Sequence, residues 1–246
     1  MKAVIQCGGK GTRLRPYTTV LPKPLMPIGS KPVLELLLRW LRRNGIREVY
    51  ISTGYLGHLF RSYCGNGREW DLSIKYTEER EPLGTMGALG LLRRELNTPF
   101  LVLNGDVVTD LNLNALAAHH RRTNAGLTVA TVNRQVRVDF GLIEVHEGRV
   151  VRFREKPTLT HLVSMGVYCM QPEIVEHIPD GVPFGFDDLM FRLLDLGLPI
   201  STFLHNGTWL DVGQIEDFQK AQELDLDHER PAYDSAPLSL EALKAA

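Results

Sequence analysis

Residues 3–14 read Ala3-Val4-Ile5-Gln6-Cys7-Gly8-Gly9-Lys10-Gly11-Thr12-Arg13-Leu14, an apolar run that breaks off into a glycine cluster. The run at 3–5 is continuous, not alternating, which is the pattern of a strand buried on both faces in a parallel sheet. The glycines permit positive φ and close backbone approach, so successive N–H groups can converge on phosphate oxygens. The loop matches neither G-x-x-x-x-G-K-[ST] nor G-x-G-x-x-G, so the two commonest nucleotide signatures are absent. Alone, it reads almost equally well as a plain turn.

Outward from this stretch, β-like and helix-like segments alternate. Val33, Leu36, Leu37, Trp40 and Leu41 form one apolar stripe, predicting a helix over 32–44 with Pro32 at its first turn and Gly45 just past its end. Strands are expected at 48–52, 73–77 and 100–103, and helices at 55–63, at 88–96 and from the cap Asn112 to about Asn124. This order predicts an α/β fold, a Rossmann-like, mostly parallel sheet with helices on both faces. Ligands in such sheets bind beyond the carboxyl ends of the strands, which selects the loops after Ile5, after Thr77 and at Asn104-Gly105-Asp106. From 127 to 170 the pattern turns β-rich (127–132, 142–145, 150–154, 163–170), with a turn at Glu147-Gly148; these segments are expected as antiparallel additions to the same sheet. Helical stretches at 172–177 and 187–196, a strand at 200–204 and a helix from about Gln214 follow. The expected organisation is one domain over 1–227 and a tail over 228–246, where Leu238, Leu240 and Leu243 suit a short docking helix.

Composition removes several classes. With 28 Lys plus Arg against 29 Asp plus Glu, the net charge of −1 gives no electrostatic case for nucleic-acid or membrane-surface binding. Cys7, Cys64 and Cys169 are unrelated in spacing and suggest reduced thiols in a cytoplasmic protein rather than disulfides or zinc. No apolar run approaches a membrane span, and the first residues are too short for a signal-peptide core.

Past the glycine loop comes Leu21-Pro22-Lys23-Pro24-Leu25-Met26-Pro27, three prolines stiffening the backbone around one ammonium group. Gly8-Gly9-x-Gly11-Thr12-Arg13-Leu14, then Pro22-Lys23-Pro24-Leu25, then Lys31-Pro32-Val33-Leu34, resembles the sugar-phosphate nucleotidylyltransferases. Glu81-Pro82-Leu83-Gly84-Thr85 and Asn104-Gly105-Asp106 look like that family's base-binding and metal-binding loops. Phe140-Gly141-Leu142-Ile143, Phe153-Arg154-Glu155-Lys156-Pro157 and Trp209-Leu210-Asp211-Val212-Gly213 look like its sugar-phosphate and second metal segments. The resemblance runs from residue 2 to about 222.

The resemblance implies a reaction in which a sugar 1-phosphate attacks the α-phosphorus of a nucleoside triphosphate and pyrophosphate leaves. Two polyanions must be positioned and neutralised, with little acid/base work. It implies Arg13 at the leaving pyrophosphate, Lys23 at the α-phosphate and Lys156 at the sugar phosphate. It also implies Mg²⁺ on Asp106 and Asp211, with Cys7, Gly8, Gly9, Gly11, Thr12, Gly84, Thr85, Asn104 and Gly105 around the nucleotide, and Gly141, Glu155, Ser164 and Gly166 around the sugar phosphate. Mg²⁺ suits few carboxylates completed by phosphate and water. The expected partners are these two substrates, with a homodimer allowed. A catalytically silent subunit of the same fold is the alternative, although such chains tend to lose these cations and acids.

Five residues before Gly84 lies Glu79, where relatives that use uridine nucleotides commonly carry glutamine. A carboxylate only accepts, which suits the adjacent N1–H and N2–H₂ of guanine, so GTP is favoured over UTP, dTTP or CTP. The stretch also looks more like the mannose- and heptose-1-phosphate guanylyltransferases than the thymidylyltransferases. Ser164-Met165-Gly166 departs from the family's Asn-x-Gly and opens the sugar to a heptose, a deoxygenated sugar or a cyclitol phosphate. The hexapeptide β-helix common in the family is not expected after residue 222. His119-His120, Asp187-Asp188 and Arg39, Arg42 and Arg43 read as helix-end and surface charges rather than site residues.

Overall fold

The structure, a computed structural model, describes residues 1–223. Its first half runs β1 (Lys2–Cys7), β2 (Pro27–Ile28), β3 (Lys31–Pro32), α1 (Val33–Arg43), β4 (Glu48–Thr53), α2 (Gly57–Cys64), β5 (Ser73–Glu78), α3 (Gly84–Gly87), β6 (Phe100–Asn104), β7 (Val107–Thr109) and α4 (Leu113–Thr123). Then come β8 (Leu127–Arg137), β9 (Leu142–His146), β10 (Arg149–Arg154), β11 (Thr158–Met170), α5 (Phe186–Asp195), β12 (Ile200–His205), β13 (Trp209–Asp211) and α6 (Ile215–Glu223).

Seven strands form the central sheet in the order β12-β8-β11-β6-β1-β4-β5. β1 is parallel to β4 and β6, β4 to β5, and β12 to β8, while β11 is antiparallel to both β6 and β8. Only β11 is therefore reversed. Side chains of adjacent residues point to opposite faces of a strand. Ala3 and Ile5 thus join Leu34, Leu37 and Trp40 of α1 on one face, and Val4 joins Leu189 and Leu193 of α5 on the other. Both faces are covered, and each large apolar side chain so buried contributes about 1.5–3 kcal/mol.

The segment 127–170 differs from expectation. β8 is part of the sheet, but it runs in the direction of β1, β4, β5 and β6. β9 and β10 leave the sheet and pair only with each other. The outer parts of β8 and β11 lengthen both strands, Thr158 pairing with Arg137, where exposed polar residues hide the pattern. The helix expected at 88–96 is instead α3 followed by a 3₁₀ segment, Ala88–Leu92. Glycines at 84, 87 and 90 lower helix persistence there. The stretch Pro172–His177 is also 3₁₀. The expected tail, 228–246, lies outside the described residues.

The expected cap is in place: the Asn112 side chain accepts the Ala115 N–H at 3.0 Å, and Asn124 closes α4 with a left-handed backbone. Asn112→Ala should lower unfolding free energy by about 1 kcal/mol. Urea unfolding should show the shift in midpoint without a change in slope.

Candidate active site

The carboxyl ends of β1 and β6 and the residues following β5 open onto a cleft of about 360 Å³, within the size range of small-ligand sites. Gln6, Cys7, Gly8, Gly9, Gly11, Arg13, Lys23, Pro24, Glu79, Pro82, Gly84, Thr85, Asn104, Gly105 and Asp106 line it. All but three of these (Gln6, Pro24 and Pro82) are residues expected at the site. Burial foremost, then neighbouring Cys64 and Asp106, pushes the Cys7 thiol well up, so it stays neutral.

The glycine loop is shaped by close contacts. A Cβ on Gly8 would run into the Glu79 carboxylate. Gly11 has φ +59°, and its carbonyl accepts the Thr18 hydroxyl at 2.8 Å. Across the cleft, Gly84 (φ +74°) abuts the Phe184 carbonyl, which accepts N–H bonds from Met86 and Gly87 at 2.9 and 3.0 Å. The Thr85 hydroxyl accepts the Phe186 N–H at 3.0 Å, tying this loop to the start of α5.

Glu79 is the acid of the 78–81 stretch that faces the cleft. Its Oε1 accepts from the Ser52 hydroxyl at 3.0 Å and its Oε2 from the Leu83 N–H at 2.9 Å. Glu78 instead reaches Arg61 at 3.5 Å, and Glu81 is exposed. A carboxylate offers about four acceptor positions. Two are taken by the protein, which fixes its orientation, and two remain.

At the other end of the cleft Lys23 is nearly buried in the 3₁₀ turn Lys23–Leu25. Its ammonium is hydrogen-bonded to Asp106 and lies 3.5 Å from Asp211 Oδ1. β13 brings Asp211 there by pairing antiparallel with β7, and the Val212 N–H closes the pair on the Asp106 carbonyl at 3.0 Å. A Cβ on Gly213 would displace the Lys23 ammonium from its place between the two aspartates. Asp211 is braced from behind: its N–H donates to Asp217 Oδ2 at 3.2 Å, and Asp217 takes two bonds from the Arg134 guanidinium at 2.8 and 3.0 Å. Burial by itself raises the Asp217 carboxyl, but Arg134 and the Asp211 N–H outweigh it and hold it below its ordinary 3.8.

The sugar-phosphate residues are arranged differently. Gly166 (φ +71°) packs against the Asn104 side chain, and the Ser164 hydroxyl donates to the Tyr168 hydroxyl at 3.2 Å. Gly141 sits against the Phe153 ring and Glu155. Gly141, Glu155 and Lys156 are exposed and do not line the cleft, because the hairpin that carries them stands off the sheet. The structure joins the glycine loop, Lys23 and the two aspartates, while Lys156 lies outside this cleft. Sequence reasoning missed Ser52, Phe184, Arg134 and Asp217. Ser52 lies at a carboxyl strand end, where the ligand rule would have found it; the others are brought in by tertiary contacts alone. Of the residues read as helix-end and surface charges, Asp188 accepts the Gly185 N–H at 2.7 Å and Arg39 and Arg42 pair with Glu35 and Asp71, whereas His120 is a buried side chain bonded to Thr128 at 2.7 Å, its pKa lowered chiefly by burial.

A glycine loop at the end of a parallel strand, facing a lysine held between two aspartates, lies where open α/β sheets place their ligand sites. The chain belongs to the nucleotidyl transferase family, whose model matches residues 2–228. It is 33% identical over 242 residues to a UTP–glucose-1-phosphate uridylyltransferase of Synechocystis sp., covering 90% of this chain and 62% of that protein. It is 32% identical over 225 residues to the D-glycero-α-D-manno-heptose 1-phosphate guanylyltransferase of Aneurinibacillus thermoaerophilus, covering 91% of this chain and 97% of that one. Among solved structures, HddC from Yersinia pseudotuberculosis complexed with GMP-PN superposes with a TM-score of 0.72 at 26% identity, covering 90% of this chain and 98% of that one. The chain spans about 62% of the length of several curated relatives it matches, the Synechocystis protein and a mannose-1-phosphate guanyltransferase of Yarrowia lipolytica among them.

Two outcomes are expected. Because the folded Asp217 carboxyl is held below 3.8, its contribution is complete above that value and is lost as pH falls through the folded value. Asp217→Asn should cost about 1–3 kcal/mol at neutral pH, and urea titrations should show the gap to wild type closing only below about pH 4. Lys23→Ala leaves Asp106 and Asp211 facing each other without a cation. Thermal scans should then show a larger Mg²⁺-induced rise in Tm for the variant than for wild type.

Proposed function

We propose that the chain is a sugar-1-phosphate guanylyltransferase, joining GTP and a sugar 1-phosphate to give a nucleotide sugar and pyrophosphate. The carrying observation is the Lys23 ammonium held between Asp106 and Asp211 at the end of a glycine-loop cleft. A cation and two acids converge there from three distant parts of the chain, which suits a centre where phosphate charge shifts. The relatives named above, one a guanylyltransferase and one crystallised with GMP-PN, support the same reading.

In the proposed reaction a sugar-phosphate oxygen attacks the α-phosphorus, and the bond to the pyrophosphate oxygen breaks on the opposite side. The loop of Cys7, Gly8, Gly9, Gly11 and Thr12, with Asn104 and Gly105, holds the nucleotide. Arg13 steadies the departing pyrophosphate, Lys23 the α-phosphate and Lys156 the incoming phosphate. Gly141, Glu155, Ser164 and Gly166 form the sugar side. Asp106 and Asp211 fit a divalent ion such as Mg²⁺: both are partly exposed, both already face a cation, and water and phosphate complete such a shell. When bound, the ion neutralises phosphate charge. Residues 1–227 are taken as one catalytic domain. The three cysteines are free and buried, and among the described residues no helix is long and apolar enough to cross a membrane, which supports a cytoplasmic setting.

The base assignment rests on Glu79, whose fixed carboxylate keeps two acceptor positions for guanine N1–H and N2–H₂ and would oppose the carbonyls of a pyrimidine. Pyrophosphate release should be fastest with GTP when GTP, UTP, dTTP, CTP and ATP are crossed with sugar and cyclitol 1-phosphates, and EDTA should stop it. Glu79→Gln should lower kcat/KM for GTP and narrow its lead over UTP. A wild type that prefers a pyrimidine nucleotide overturns the guanine reading; a preference for GTP untouched by Glu79→Gln overturns the residue.

A further inference from the structure

β1 is apolar from Ala3 to Ile5 and then carries one amide, Gln6, before Cys7. Alternation puts Gln6 on the Val4 face of the strand, the face packed by Met86 and Leu89, and puts Cys7 with Ile5 on the other. Gln6 lines the cleft together with Glu79, Pro82, Gly84 and Thr85. In the parallel ladder it lies between Ser52 on β4 and Asn104 on β6. Neighbouring strands are about 4.8 Å apart, so Gln6 stands one strand away from the Ser52 hydroxyl that pins Glu79 Oε1.

No hydrogen bond of the fold uses the Gln6 amine. Its Nε2 is buried and has no partner among the described residues. Buried donors are nearly always paired, and an orphan calls for a partner that the chain itself does not supply. The other such atoms, on Trp70, His119 and His120, belong to residues outside the cleft. An apolar side chain would complete the strand at lower cost, so the amide at this one position points to the ligand.

We infer that Gln6 is a second reader of the base, its amine donating to the guanine O6 while Glu79 takes N1–H and N2–H₂. The inference rests on the guanylyltransferase reading above. The guanine edge sets one acceptor beside two donors, and Gln6 with Glu79 sets one donor beside two acceptors. An amide exchanges its donor and acceptor ends by a half-turn about its last bond, so Gln6 can turn its amine to O6, and by itself it would also accept the amine that adenine carries at that place. Glu79 breaks the tie, because a carboxylate cannot donate to the adenine N1. Only guanine matches both side chains.

Calorimetric binding of GTP, inosine triphosphate and 6-thio-GTP to the full chain, with Mg²⁺ and without sugar phosphate, tests this. Inosine keeps O6 and lacks N2–H₂; the thio analogue replaces O6 with sulfur, a weak acceptor. Wild type should bind 6-thio-GTP about tenfold more weakly than GTP, the scale of one hydrogen bond. Gln6→Met, similar in shape but without a donor, should weaken GTP and inosine triphosphate by the same factor of about ten and should bind GTP and 6-thio-GTP alike. Its Tm should not fall, since the change removes an orphan donor. Glu79→Gln should keep the penalty on 6-thio-GTP and narrow the gap between GTP and inosine triphosphate. A wild type that prefers GTP to UTP and ATP yet binds 6-thio-GTP as tightly overturns the inference, and no folding defect can produce that result. A Gln6→Met variant that keeps the thio penalty overturns it too, as does one that weakens every nucleotide equally, which would place the amide on ribose or phosphate. A wild type that prefers UTP or ATP overturns the guanine reading itself, before any variant is made.

Discussion

An ammonium group almost out of water is costly unless carboxylates face it. Lys23 is in that position, and much of the chain's path follows from it. Asp106 comes from the end of β6, and Asp211 can approach only because β13 folds back along β7. A side chain at Gly213 would push against the Lys23 ammonium that this pairing helps to hold. Arg134, reaching from β8 to Asp217, then ties α6 to the backbone of Asp211. Positions 23, 106 and 211 thus form one charge cluster and 134 and 217 a second, the two joined through the Asp211 backbone N–H.

The same sheet sets the other end of the cleft. Ser52, Gln6 and Asn104 are in register on β4, β1 and β6, so they form one row at the strands' carboxyl ends. Ser52 and the Leu83 N–H pin the Glu79 carboxylate against Gly8. A pinned acceptor discriminates better than a mobile one, since it cannot turn away from a mismatched carbonyl. If Glu79 reads the base as proposed, its selectivity would be a property of the sheet register as much as of the glutamate.

How much of this was legible in the sequence depended on burial. The strands at Lys2–Cys7, Glu48–Thr53, Ser73–Glu78 and Phe100–Asn104 lie near where apolar runs placed them, because burial on both faces leaves an unmistakable pattern. The glycine loop and Asp106 were legible because they sit at the ends of those strands, Lys23 from its Pro-Lys-Pro setting and Glu79 from its spacing to Gly84, both through the family resemblance. The outer halves of β8 and β11 were not, since exposed residues such as Arg134, Gln135, Thr160 and His161 carry no alternation. The Arg134–Asp217 pair left no local signal either, because nothing in the sequence near Arg134 points to residue 217. The β9–β10 hairpin showed its turn, Glu147-Gly148 with both φ positive, but not its detachment, which depends on what fails to pack beneath it.

The two halves of the site therefore differ in kind. The nucleotide side is built from buried strands, crowded glycines and paired charges, and is fixed before any ligand arrives. The sugar-phosphate side depends on Gly141, Glu155 and Lys156, all exposed on a hairpin that rests on nothing described, with Lys156 in the left-handed region at φ +42°. In the proposed reaction the entropy of ordering falls mainly on the second substrate. In that proposal the attraction between its phosphate and Lys156 would offset this cost.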